Sequence, residues 1–113
     1  MTRINCIDPH RLTNRHLLAE YREMLRLRHL HPRARMPHAP CYRLGQGHVL
    51  FFADKGDWLL TRHEQIRHEM AARGYRAQYH LDLSSWPATA MNGWQPDVDD
   101  KLLNVGRIIN RLK

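Results

Sequence analysis

The chain of 113 residues has little cysteine, little phenylalanine and no long apolar run. Two cysteines, Cys6 and Cys41, are too few for a disulfide framework. Free thiols are expected, with a single bridge between them left open. No stretch nears the roughly 20 apolar residues that cross a bilayer, and none has the flanks of a signal peptide. A soluble protein without a membrane partner is therefore expected. No Gly- or Ser-rich linker and no internal repeat divides the chain, so one domain over residues 1–113 is expected. Gly45-Gln46-Gly47 is too short for a dinucleotide or P-loop fingerprint and reads as a turn. His29, His31, His38 and Cys41 are ligand types, but they fit no tight zinc spacing. No metal and no other cofactor is expected.

Acidic residues are scarce as well: 11 Asp and Glu stand against 18 Lys and Arg, a formal net charge of +7. That imbalance favours a polyanionic partner, either nucleic acid or an anionic membrane surface.

What is present is helical pattern. Thr13 or Asn14 can cap a first helix reaching about Leu30, with Leu17, Tyr21, Met24 and Arg28 at helical spacing. Asp8-Pro9 suits an earlier turn. His31-Pro32 ends the helix, and Pro32, Pro37 and Pro40 mark an irregular connection. The apolar run His48–Phe52 reads as a buried strand or extended core segment. A second helix is expected over about Asp57–Arg73, capped by Asp57 and closed by Gly74, with Leu59, Ile66 and Met70 inward. A third is expected over about Pro96–Leu112 with Leu102, Val105, Ile109 and Leu112 as its core stripe. Its acidic start and basic end suit the helix dipole. Phe51, Phe52 and Trp58 read as core, while Trp86 and Trp94 fit either loop packing or nucleic-acid contact. The fold class is all-α: a compact single domain of about three helices with loop-rich connections.

The first helix carries Arg22-Glu23-Met24-Leu25-Arg26. Arg22 and Arg26 share a face, which costs a little helix stability unless a phosphate sits between them. A carboxylate there repels a nucleic-acid backbone, so Glu23 makes more sense in chemistry than in binding. The bland alternative is a solvated Arg-Glu pair.

Three blocks carry a family resemblance: Met1-Thr2-Arg3-Ile4-Asn5, His16-Leu17-Leu18-Ala19-Glu20-Tyr21-Arg22-Glu23, and the run from Leu44 to Lys55. Together they resemble the bacteriophage-type pyrimidine-dimer DNA glycosylases. The match is close over about a quarter of the chain and loose over most of it. The resemblance implies an all-α enzyme that cleaves the glycosidic bond of a damaged nucleotide and then nicks the strand at the abasic site. It implies that Thr2, as mature N-terminus, supplies a nucleophilic amine and that Glu23 is the catalytic carboxylate. It implies phosphate contacts from Arg3, Arg22 and Arg26, a site lined by His16 and Tyr21, and backbone contacts from Arg107 and Arg111. The implied partner is damaged double-stranded DNA, met by a monomer in the cytoplasm of a bacterial or phage-infected cell, at the nucleoid. Leu25 stands where the family has proline, and the sequence stops at Lys113 without the family's aromatic-rich tail. A lyase or glycosylase for another lesion is the nearest alternative, and a non-catalytic basic DNA-binding protein the more distant one.

The chemistry suits an α-amine. Such an amine titrates near pH 8, against about 10.4 for lysine, so a usable fraction is neutral and nucleophilic at pH 7. Neighbouring arginines favour the neutral form further.

Overall fold

A computed structural model describes residues 4–30, 42 and 48–112; the side chains of residues 49, 50, 111 and 112 lie outside that description. The expectations placed on Thr2, Arg3, Pro32, Pro37, Pro40, the Gly45–Gly47 turn, His31, His38 and Cys41 therefore fall outside the described residues, as does the side chain of Arg111.

Among the described residues the regular structure is helical. Helix α1 spans Asn14–Leu25, α2 His48–Phe52, α3 Gly56–Ala72 and α4 Val98–Leu112. Thr13 caps α1 by accepting the His16 backbone N–H at 3.2 Å. Asp8 caps a 3-10 turn over Pro9–Arg11 in the same way, accepting from His10 N at 3.0 Å. The first helix is shorter than expected: past Leu25 it tightens into a 3-10 turn over Arg26–His29.

The run around Phe52 is a helix and not a strand. His48, Phe51 and Phe52 stand at i, i+3 and i+4, and all three are buried on one side. A lone bridge between Lys55 and Met91 is the nearest the described residues come to a sheet. That bridge presses Met91 onto Gly56, where a β-carbon would meet its sulfur, so α3 begins on glycine. Asp57 consequently lies inside the first turn and meets the helix dipole there, while Lys55 occupies the cap position without capping the helix through its side chain, which donates to Asp54 Oδ1 at 2.6 Å. Gly74 closes α3 with φ 88°, the left-handed conformation expected of it.

Leu17 and Met24 of α1 and Leu59, Ile66 and Met70 of α3 meet in the core, together with Phe51 and Phe52 of α2. Trp86 is buried and donates its indole N–H to Leu27 O at 3.3 Å. Trp94 packs against Phe51, Phe52, Tyr42 and Trp58. Both are loop packing.

Helix α4 reverses the expected orientation. Asp97 and Asp100 cap it reciprocally, each accepting the other's backbone N–H at 2.8 and 3.0 Å. Its inward side chains are Asn104 and Ile108. The apolar positions read as core instead face solvent: Leu102 is 62% exposed, Val105 36% and Ile109 50%. The inward face is polar because the segment it packs on offers polar backbone and an amide.

Candidate active site

That segment is Ile4-Asn5-Cys6-Ile7, and nearly every polar group on it is held. Ile4 N–H donates to His48 Nε2 at 2.9 Å, and Ile4 O accepts from the Tyr42 hydroxyl at 3.2 Å. Cys6 N–H donates to Asn104 Oδ1 at 2.7 Å. Ile7 O accepts from Arg62 Nη1. The Asn5 amide donates to Glu20 Oε1 at 2.7 Å, while its oxygen accepts from Asn104 Nδ2 at 2.7 Å and from Arg107 Nη2. Ile4, Asn5 and Cys6 are buried, so each of these bonds replaces one lost to water. Burial of the same stretch pushes the Cys6 thiol up to about 11, which makes it inert as a nucleophile.

Glu20 is the centre of this arrangement. It sits among the inward residues of α1, 1% exposed, and takes Arg62 of α3 through Nε at 2.8 Å and Nη2 at 3.0 Å. The two-pronged geometry of a guanidinium on a carboxylate offsets the cost of burying both charges. Sequence reasoning used Glu20 only as part of a matched string. A carboxylate within the stripe of Leu17, Tyr21 and Met24 was the available signal.

One turn on stands Glu23. At about 100° per residue it lies some 60° from Glu20 around the axis and about 4.5 Å along it. This puts it at the margin between the buried face and solvent, and its side chain is 20% exposed. Arg26 Nη1 donates to Glu23 Oε2 at 3.3 Å. His16, seven residues before Glu23, returns to nearly the same side of the helix, and its Nδ1 contacts Thr13 Oγ1 at 2.8 Å.

Beyond Glu23 the helix becomes basic. Arg22 and Arg26 are exposed, and so is Arg15. Positions 15, 22 and 26 fall within about 40° of each other, a stripe roughly 16 Å long. Arg15 escaped the sequence reading, although its spacing of seven and four from the other two marks the same face.

Two residues expected at the site have other work in the fold. Tyr21 is 7% exposed; its ring stacks on His63 with centroids 5.2 Å apart, and its hydroxyl accepts from Tyr79 N–H at 2.9 Å. It packs α1 against α3 and does not line an open surface. Arg107 is half-buried and turned onto Asn5, so it holds the N-terminal segment from α4.

The described residues thus form an all-α scaffold with a basic helix face, edged by a carboxylate that is mostly buried. Residues 1–83 match the family model described as pyrimidine dimer DNA glycosylase. The chain belongs to that family, and its class of activity is DNA-repair glycosylase. The match takes in α1, α2, α3 and the clamped segment; α4 lies beyond it. Among the described residues no helix is long and apolar enough to cross a membrane.

Proposed function

We propose that this glycosylase cleaves with the α-amine of Thr2 and that it is also an abasic-site lyase. The amine attacks the sugar C1′ of the damaged nucleotide. The C1′–N bond breaks, and the base leaves with the bonding pair and takes a proton. Ring opening gives an iminium between the amine and the sugar. Glu23 stabilises that positive charge and accepts the 2′ proton, so that the 3′ C–O bond breaks and the phosphate departs. Water then hydrolyses the imine and frees Thr2. The reading needs no cofactor.

The observation that carries it is the clamp on Ile4–Ile7. A protein that only bound DNA would have no use for so many buried polar bonds on the chain next to its N-terminus. Asn5 is tied to Glu20, and Glu23 is one turn further along the same helix. Two extended residues span about 7 Å, and over that reach from Ile4 the Thr2 amine would approach the carboxylate in this reading.

Double-stranded damaged DNA is the proposed substrate, with pyrimidine dimers as the lesion. Arg3, Arg22 and Arg26 are assigned to phosphates flanking the lesion, His16 to the same groove, and Arg111 to the backbone from α4. Arg15 joins this set by its place on the stripe. Tyr21 and Arg107 serve the site by holding α1 and Asn5. Reaching the sugar requires bending the duplex and extruding a nucleotide, and the arginine contacts offset that deformation.

Borohydride trapping on abasic duplex tests the reading. The expected product is a covalent adduct that peptide mapping places on Thr2. Duplex binding without an adduct would overturn the amine mechanism. Incision of irradiated but not undamaged duplex is expected for the lesion preference.

A further inference from the structure

The backbone of Ile4–Cys6 is bonded as a strand would be, but its partners are side chains. Ile4 N–H donates to His48 of α2, Ile4 O accepts from Tyr42, and Cys6 N–H donates to Asn104 of α4. Of these partners His48 alone changes its hydrogen-bonding character between about pH 5 and pH 8. The Asn104 amide does not titrate, and burial pushes the Tyr42 phenol above its ordinary range. To accept the Ile4 N–H at 2.9 Å, His48 Nε2 must offer a lone pair, so the ring is neutral. A protonated ring donates from both nitrogens, and Nε2–H would then face Ile4 N–H. Water cannot mediate between them, because Ile4 is 0% and His48 2% exposed. Phe52 and Tyr42 pack edge-on to the ring, with centroids 5.4 and 5.7 Å away, and hold it in place. The charged groups set about Tyr42 are Arg107 of α4, Glu20 of α1 and Arg62 of α3, with the Cys6 thiol on the segment itself. Glu20 and Arg62 are paired with each other.

We propose that His48 is a positioning residue of this glycosylase: its neutral imidazole fixes the chain at Ile4, two residues from the proposed nucleophile, and a proton on the ring releases that chain. The assignment rests on the amine reading of Thr2. It makes the reaction depend on two ionisations where the amine alone gives one. The Thr2 amine must be neutral to attack, and His48 must be neutral to hold it in reach. His48 is buried and meets neither the duplex nor the reacting atoms in this scheme. Its loss therefore slows the reaction and leaves duplex binding as it was. Any acceptor without a titration at that place does the same work across the whole range. Glutamine is such an acceptor, because its Oε1 can stand where Nε2 stands.

Timed cyanoborohydride trapping on abasic duplex, with the full chain in excess, tests the assignment. At about pH 8 His48→Leu is expected to trap roughly 10–100-fold more slowly than wild type, the scale of a misplaced reacting group. Its affinity for the duplex should stay within about twofold. His48→Gln should restore most of that rate. The ratio of wild type to His48→Gln cancels the ionisations of Thr2 and Glu23 and reads His48 alone. It should fall by about fivefold or more between pH 8 and pH 5, as the imidazole takes its proton. In the wild type without DNA, the Ile4 amide resonance should move with the titration of the His48 ring. The ratio and the resonance decide the matter if His48→Leu does not fold. A ratio constant with pH overturns the proposal, as does an Ile4 resonance indifferent to the ring. His48→Gln as slow as a folded His48→Leu would assign the ring to packing alone and overturn it too. No adduct on Thr2 in the wild type overturns the amine reading, and this assignment with it. An adduct on Thr2 formed equally fast by His48→Leu overturns the assignment alone.

Discussion

Arg62 of α3 grips Glu20 of α1 with two nitrogens, at 2.8 and 3.0 Å, in the interior of the protein. The same carboxylate oxygen that takes Arg62 Nη2 also takes the amide of Asn5. One ion pair thus joins the two main core helices to the strand of chain that leads to the N-terminus.

Removing one partner of this pair leaves the other charged and buried. Arg62→Met is expected to lose about 3–5 kcal/mol of unfolding free energy, the usual cost of an orphaned buried charge. Glu20→Leu/Arg62→Leu should lose less than that single change, although it still strips Asn5 of its acceptor. Urea titration by circular dichroism measures both. A double variant no more stable than Arg62→Met would mean that the Asn5 contact, and not the unpaired charge, dominates.

Glu23 is expected to behave in the opposite way. Its contact with Arg26 is a solvent-facing helix pair, and such pairs contribute at most about 0.5 kcal/mol. Glu23→Gln should therefore fold and bind duplex normally. Strand cleavage should fall by roughly 10²–10⁴, the range for loss of a positioned acid or base. Wild-type cleavage by this variant would remove Glu23 from the mechanism.

The basic stripe predicts a salt signature. Each phosphate neutralised contributes about 0.9 to the slope of log affinity against log salt. Arg15→Ala, Arg22→Ala and Arg26→Ala should each lower that slope by about one, whatever the sequence of the duplex. Arg28 is exposed but lies about 120° or more around the axis from every member of the stripe on a regular helix, and serves as the comparison. An equal effect from Arg28→Ala would show a diffuse field and not a stripe.

His63 predicts a pH dependence. Desolvation by burial lowers its pKa below the ordinary 6.5, even though the ring contacts Tyr21 O. The unfolded chain then binds a proton that the folded chain refuses. Its contribution is complete above about pH 6.5 and is lost progressively as the pH falls below that value, by at most about 1.4 kcal/mol per pH unit. His63→Phe keeps a ring against Tyr21 and removes the titration. The stability difference between wild type and variant should shift against the wild type between pH 7 and pH 5. A constant difference over that range would show that His63 stays accessible to protons.

Local signals were enough for the helices. Thr13, Asp8 and Gly74 act where capping chemistry places them, and the α3 stripe of Leu59, Ile66 and Met70 is inward. The run of five at His48–Phe52 was ambiguous because a short apolar stretch has no period. Its helical form sets His48, Phe51 and Phe52, at i, i+3 and i+4, on one buried side. For α4 the pattern revealed an apolar face but not its cover, and the fold turned Asn104 inward because Asn5 and Cys6 needed partners. The matched strings pointed to Glu23 and the arginines. Glu20, Arg62, Asn104 and Arg107 were invisible as a group, because their contacts join positions up to 102 residues apart.

The bond from Asn104 to Cys6 spans 98 residues. A ribosome adding about 5–20 residues per second takes roughly 5–20 seconds to make that stretch. Throughout that interval Asn5 and Cys6 have no Asn104 or Arg107 to settle against. Once α4 emerges the segment is sealed. Folding of α4 onto Ile4–Ile7 is thus a late event, and the buried polar bonds of that segment to Asn104 and Arg107 close only after residue 107 has been added.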